Sequence, residues 1–177
     1  QTGQAKLNYE EPQTTPEGAT IWLRSSKVPL KGRQGETIGV LGVYDDITDR
    51  KAAVEALRQS EHKFHSLYSA MTEGVALHEL VFDADGRPVD YRLLDVNPAF
   101  ETILGITRQM AVGRCASEVY GEAPFLDQFA EVALTGTPLR FQPHFAPMDR
   151  IFSISVFSPG KNQFATVFKD VTEAARS

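Results

Sequence analysis

The chain has 177 residues, 42% of them hydrophobic, 23% charged and 10% aromatic, the proportions of an ordinary globular domain, which excludes two large enzymatic domains. With 18 basic against 23 acidic residues the net charge is −5, so no electrostatic term favours nucleic acid or an anionic bilayer as partner. The single cysteine, Cys115, allows neither an internal disulfide nor a four-cysteine metal pattern, no apolar run approaches the roughly 20 residues of a membrane helix, and the start at Gln1 has no signal-peptide character; the expectation is a cytoplasmic segment excised from a longer protein, without membrane insertion of its own.

Residues 1–20 are polar, with one expected strand over 6–11 that ends at Pro12. The β-branched and aromatic run TIWLRSSKVPL (20–30), the turn-rich KGRQGE (31–36) and the apolar TIGVLGVYDDIT (37–48) predict an antiparallel hairpin. From Asp49 to Met71 there is no Gly or Pro, and good helix formers fill the segment. Val54, Leu57, Phe64, Tyr68 and Met71 recur there at alternating three- and four-residue steps, with Glu61 as the one polar position of the stripe. This predicts either a coiled-coil-like seam or, for the second half, a helix lying on its own domain. Beyond Gly74 the pattern returns to strands on either side of DADGRP (75–97), and Asn97-Pro98 stops the second strand and opens a short helix over 98–105. Short helices are expected over 107–112 and 116–120, a longer amphipathic one over 125–135, and three closing strands over 139–145, 151–158 and 163–170.

VYDDITDRKA (43–52) and VFKDVTEAAR (167–176) align at a constant offset of 124 residues, and each ends a β run that two further β segments precede. The chain therefore reads as one complete unit preceded by the last three strands of another. The entry SEHKFHSLYSAMTEGV (60–75), the segment DVNPAFETILGITRQMAVGR (95–114) and the exits DDIT (45–48) and KDVT (169–172) resemble the PAS sensory domain with its C-terminal PAC segment. The resemblance implies an α+β fold, a five-stranded antiparallel sheet in spatial order 2-1-5-4-3 with helices on one face, often enclosing a pocket. It divides the chain into the PAC strands of a preceding PAS domain (1–48), a connecting coiled-coil-like helix (49–72) and a complete PAS domain with the start of an exit helix (73–177). In that family the exits, here Asp46, Thr48, Asp170 and Thr172, join the sheet to an outgoing signalling helix. Independently of the family, short oxygen-bearing side chains at a strand-to-helix junction satisfy the unpaired N–H groups of the helix start, so a simple cap is the competing reading.

No catalytic constellation is found. His78-Glu79-Leu80 superficially matches a phosphoacceptor box but continues as VFDADG inside an expected strand, and Phe82 stands where a zinc protease needs histidine. His62 and His65 read as a solvated helix face, no metal site is expected, and GGDEF, EAL, phosphate-loop and nucleophile-elbow signatures are all missing. Cys115 lacks the residues that hold flavin in photoreceptors of the family, and FLDQFAEVALTG (125–136) lacks the histidine of its haem-binding members, so the resemblance implies neither cofactor and Cys115 reads as a packing residue. What remains is an apolar interior to which Phe100, Ile103, Leu104, Phe125, Phe129, Val132, Phe141, Phe152, Ile154 and Phe164 are expected to contribute. Eleven Phe favour a filled core over an open pocket. The residues expected to line a pocket are Phe100, Leu104, Phe129, Phe141, Arg150, Phe152, Ile154 and Phe164, for a small molecule of unspecified identity, with Arg140, His144, Arg150 or Ser155 as orienting groups.

The resemblance implies a non-catalytic sensory module of a multidomain bacterial signalling protein, in the first instance a sensor histidine kinase, with the effector in the same polypeptide. The alternatives are the same module regulating a diguanylate cyclase or phosphodiesterase, and a stand-alone small-ligand carrier, against which the charged stop at EAARS counts. The three N-terminal strands lack the cover of a full unit, so a homodimer that also uses the Val54–Met71 seam is expected.

Overall fold

A computed structural model describes residues 3–177; Gln1 and Thr2, the start of the polar N-terminal run, lie outside the described residues. The fold divides into two units, with the boundary between Lys63 and Phe64. In the first, β1 (Lys6–Thr14), β2 (Thr20–Lys31) and β3 (Thr37–Asp46) form an antiparallel sheet in the order β1-β2-β3. The expected end of the first strand at Pro12 is corrected: Pro12 pairs with Trp22 and the strand continues to Thr14. β1 is an edge strand, where a residue without an N–H is tolerated. Near its start the register slips between Lys6 and Tyr9, Asn8 takes φ 51°, and the Asn8 N–H donates to Ser26 Oγ at 3.0 Å. Among the described residues of this unit only Ser25 and Ile47 are buried, whereas Ile38, Val40, Leu41, Val43 and Tyr44 of β3 are each more than half exposed. The helix α1 (Thr48–Ala70) follows directly, free of Gly and Pro as its sequence predicts, and passes through the unit boundary.

The second unit begins within α1. Its first two strands, β4 (Gly74–Phe82) and β5 (Pro88–Val96), are joined by a turn in which Asp83 Oδ1 accepts the N–H groups of Asp85 and Arg87 at 2.9 and 2.8 Å and Gly86 adopts φ 76°. The helices α2 (Pro98–Leu104), α3 (Arg108–Ala111), α4 (Ala116–Tyr120) and α5 (Leu126–Thr135) follow, then β6 (Leu139–Phe141), β7 (His144–Phe145), β8 (Arg150–Phe157), β9 (Gln163–Asp170) and α6 (Thr172–Arg176). The sheet order is β5-β4-β9-β8-β6, antiparallel throughout. Counting strands within the unit, this is the 2-1-5-4-3 order that the resemblance implies. The expected single strand over 139–145 arrives in two pieces, because Pro143 supplies no N–H to the ladder and its carbonyl accepts the Phe152 N–H instead.

The core lies between one face of this sheet and α2–α5, with Leu93, Phe100, Val132, Val156 and Phe164 fully buried. The alternation along β4 is clean: Gly74, Ala76, His78 and Leu80 face inward. Asn97, 1% exposed, ties the layers together. Its Oδ1 accepts the Val75 N–H at 2.8 Å and the Phe100 N–H at 3.1 Å, and its Nδ2 donates to the carbonyls of Tyr68 at 3.2 Å and Glu73 at 3.0 Å. One side chain thus caps α2, holds the start of β4 and fixes the end of α1. Asn97→Ala leaves these groups without a partner inside the fold and is expected to cost the second unit about 2–4 kcal/mol. Amide hydrogen exchange of β4 and β9 measures this, and undiminished protection would refute it.

Candidate functional site

Between the sheet and the helices lies a chamber of about 60 Å³. Its walls come from every layer: Ala76 and His78 of β4, Tyr91 of β5, Phe100 and Leu104 of α2, Phe125 and Phe129 at the start and in the first turns of α5, Phe152 and Ile154 of β8, and Thr166 of β9. Of the residues expected to form a pocket, Phe100, Leu104, Phe129, Phe152 and Ile154 are brought together here. Phe141 stands behind the wall, edge-on to Phe125 and Phe129 at 5.7 and 6.2 Å, and Phe164 lies under the floor, stacked on His78 at 4.5 Å. The sheet register decides this difference, since Phe164 pairs directly with His78 across β4 and β9 and the two rings pack against one another.

The polar groups also differ from expectation. Arg140 donates to Ser155 Oγ at 3.1 Å, and His144 pairs with Asp149 at 2.8 Å, both in exposed positions. Arg150 donates to the Ile103 carbonyl at 2.7 Å and approaches Asp170 at 3.6 Å. None of the four lines the chamber; the polar side chains there are His78, Thr166 and the hydroxyls of Tyr91 and Tyr120. Tyr91 donates to the Pro124 carbonyl at 2.9 Å, and burial pushes its phenol well up. A strand position excludes His78 from a phosphoacceptor helix, yet the same β4 alternation turns it inward. Phe125, directly before α5, takes φ 56°, a costly conformation for a bulky residue, and its ring meets Phe129, Phe141 and Phe145.

His78 is 4% exposed. Its ring stacks on Phe164 and meets Tyr91 edge-on at 5.2 Å, and Nδ1 has no hydrogen-bond partner. Burial pulls its pKa down to about 3; the Phe164 backbone opposes this only weakly.

The two exits share one set of bonds. Asp46 Oδ1 accepts the Thr48 N–H at 3.0 Å and its hydroxyl at 2.6 Å, while Thr48 Oγ1 accepts the Trp22 N–H at 2.9 Å. In the second unit Asp170 Oδ1 accepts the Thr172 N–H at 2.9 Å and its hydroxyl at 2.5 Å, and Thr172 Oγ1 accepts the Ile151 N–H at 2.9 Å. These bonds hold both aspartates below the usual carboxylate range. Each first helical residue is therefore fastened to its own strand and to the neighbouring one. Along α1, Val54, Leu57 and Phe64 are exposed, Met71 just beyond its end is 37% exposed, and Tyr68 is half-buried and stacked on Phe64 at 5.6 Å. Cys115 is half-buried at the start of α4 with its N–H donated to Glu118. Among the described residues, no three His, Cys, Asp or Glu side chains gather as a metal site and no helix is long and apolar enough to cross a membrane.

The buried imidazole makes stability depend on pH. The unfolded chain takes up a proton at His78 near pH 6.5, the folded chain only near pH 3. The unfolded state therefore binds more protons across that window, and stability falls as pH falls, by at most about 1.4 kcal/mol per pH unit. Between pH 6.5 and 5, above the range of the carboxylates, His78→Phe is expected to lose less stability than the natural chain in urea titrations; identical slopes would contradict this.

The family model for the PAS fold matches residues 3–52 and 80–176. No curated protein matches the chain. Among solved structures, an RNA-binding light-oxygen-voltage receptor shares 13% identity at a TM-score of 0.44, over 98% of this chain and 79% of that one. The PAS domain of an HTR-like protein from Haloarcula marismortui shares 17% identity at 0.43, over 68% of this chain and 98% of that one. The PAS domain of Bordetella pertussis BvgS shares 18% at 0.42, over 69% and 92%. With the family match spanning both units and most of the sequence, the chain belongs to the PAS fold family.

Proposed function

We propose that the chain is a non-catalytic sensory and relay segment of a multidomain bacterial signal-transduction protein, in the first instance a sensor histidine kinase, acting as a homodimer on an effector in the same polypeptide. The observation that carries this reading is the duplicated junction at which Thr48 and Thr172 are each bonded to two strands as a helix begins. A small shift between those strands has to move the first turn of the helix, because a single hydroxyl serves both. In the second unit Arg150 extends the connection inward. It donates to the Ile103 carbonyl beside the chamber residue Leu104, and its guanidinium faces Asp170, which holds Thr172. Occupancy of the chamber therefore has a physical route to the exit helix.

Association follows from two apolar surfaces. The heptad positions Val54, Leu57 and Phe64 of α1 and the broad face of β3 are exposed in the single chain, and a second copy supplies matching cover for both.

Two measurements test the reading. Ile154→Phe, which fills part of the chamber, is expected to alter amide exchange at Ala175 of α6, and Arg150→Met is expected to abolish that response; an α6 indifferent to the filled chamber would defeat the relay. Leu57 and Phe64 are 60% and 67% exposed, so Leu57→Asp and Phe64→Asp should leave the fold intact while shifting a sedimenting dimer toward monomer. A natural chain that is monomeric at micromolar concentration, or association unchanged in both variants, would overturn the homodimer.

A further inference from the structure

The unpartnered Nδ1 of His78 specifies what the chamber takes. Resting on the sensory reading above, we propose that the ligand is a small uncharged amphipathic molecule of the class of a short-chain alcohol, its hydroxyl bound by His78 and its alkyl part lying against the phenylalanines.

Three observations carry this. The first is the orphan atom. His78 is 4% exposed and lines the chamber, and Nδ1 has no partner in the fold. A buried polar group of this kind is ordinarily paired, so a missing partner asks to be supplied from the chamber. The ring is clamped between Phe164 at 4.5 Å and the edge of Tyr91 at 5.2 Å, which fixes its orientation. A neutral imidazole carries one donor and one acceptor, and a hydroxyl can answer either. An ether or a ketone could answer only one.

The second is charge. Among the described residues no Asp, Glu, Lys or Arg lines the chamber. A carboxylate, phosphate or ammonium entering it would be desolvated without a counter-ion, which excludes charged ligands. Thr166, 5% exposed on β9, is the neighbouring polar side chain on the same sheet face and offers a second neutral contact.

The third is size. At about 60 Å³ the space exceeds the ~10–15 Å³ needed by one water and falls short of the ~150 Å³ cavity that accepts benzene. Only a few heavy atoms fit, most of them against the side chains of Phe100, Phe129, Phe152 and Ile154. Water alone needs two to four polar partners per molecule, more than this predominantly aromatic wall readily gives to several at once.

The test uses the whole chain with 15N-labelled histidine and 1-propanol as the probe. The expected result is a saturable shift of the His78 ring nitrogen at millimolar propanol together with a raised Tm, and no such effect from sodium propionate at matched ionic strength. His78→Phe is expected to weaken apparent propanol affinity by about tenfold or more. Thr166→Val, which preserves shape, is expected to weaken it less and serves if the first variant fails to fold. A His78 resonance that propanol does not move, propionate binding as well as propanol, both variants binding propanol like the natural chain, or cross-peaks from His78 to bound water only in the presence of propanol would each overturn the proposal. The two readings fail separately. Propanol that binds His78 while leaving α6 exchange unchanged supports this ligand class and removes the relay; a response of α6 to Ile154→Phe with no propanol bound keeps the relay and overturns this ligand class.

Discussion

Asn97 is the point through which the layers of the second unit are registered. Its amide carries an acceptor and a donor on a short stem, and all of it is used: two N–H groups on one side, two carbonyls on the other. Aspartate would present its charge to the carbonyls of Tyr68 and Glu73, and serine has one oxygen for four partners. The next residue completes the arrangement, since Pro98 opens α2 without an N–H that would need a partner. Leu93 and Phe100, on either side of this cap, are fully buried. The helix that carries Phe100 and Leu104 of the chamber wall, the start of the strand that carries Ala76 and His78, and the end of the incoming helix are thereby held by one side chain.

Within that frame the chamber is an aromatic box with one imidazole set into it. Edge-to-face contacts link Tyr91, Phe125, Phe129, Phe141 and Phe164 at centroid distances of 5.2 to 6.2 Å. Such rings pack with defined geometry and little freedom, so they hold a small void open where aliphatic side chains would settle into it. His78 keeps company with these rings because it is neutral. The same burial that prevents its protonation strengthens any single hydrogen bond it forms, because the surroundings are of low polarity. Specificity in such a site rests on one polar contact and on shape.

Much of this was legible in the sequence for identifiable reasons. The offset between VYDDIT and VFKDVT exposed the duplication before any strand order was known, and Asn97-Pro98, Gly86, Gly105 and Gly136 marked turns and helix ends that need a cap or a positive φ. Three things were hidden. Pro12 reads as a strand terminator unless the strand is known to lie at an edge. Pro143 breaks a run of strand-forming residues whose alternation continues through it. The chamber's polar group depends on which face of β4 looks inward, and a shift of one residue would put Glu79 in place of His78. Phe141 and Phe164 belong to the same core as the chamber, but only the register between strands decides which rings touch empty space and which lie behind them.

The two units show why composition alone does not decide burial. Val40, Gly42 and Tyr44 of β3 occupy the repeat positions of Phe164, Thr166 and Phe168 of β9. On β9 these residues are buried, because β4 pairs along one edge, β8 along the other, and helices cover the face. On β3 the pairing is with β2 alone, and Val40 and Tyr44 stand more than half exposed. The Tyr44 ring folds back over Gly42, whose missing Cβ leaves the room: a Cβ there would meet the Tyr44 hydroxyl oxygen at 2.8 Å. Phe168 does the same over Gly74 across the complete sheet, where a Cβ would meet its ring at 2.4 Å. An aromatic ring laid over a glycine is thus common to both sheets, inside one strand in the first and between two strands in the second. The junction bonds of Thr48 and Thr172 are likewise identical in both. What the first unit keeps without a covered core is therefore the exit itself: a strand pair and a helix start, fastened by local hydrogen bonds that need no neighbouring layer to form.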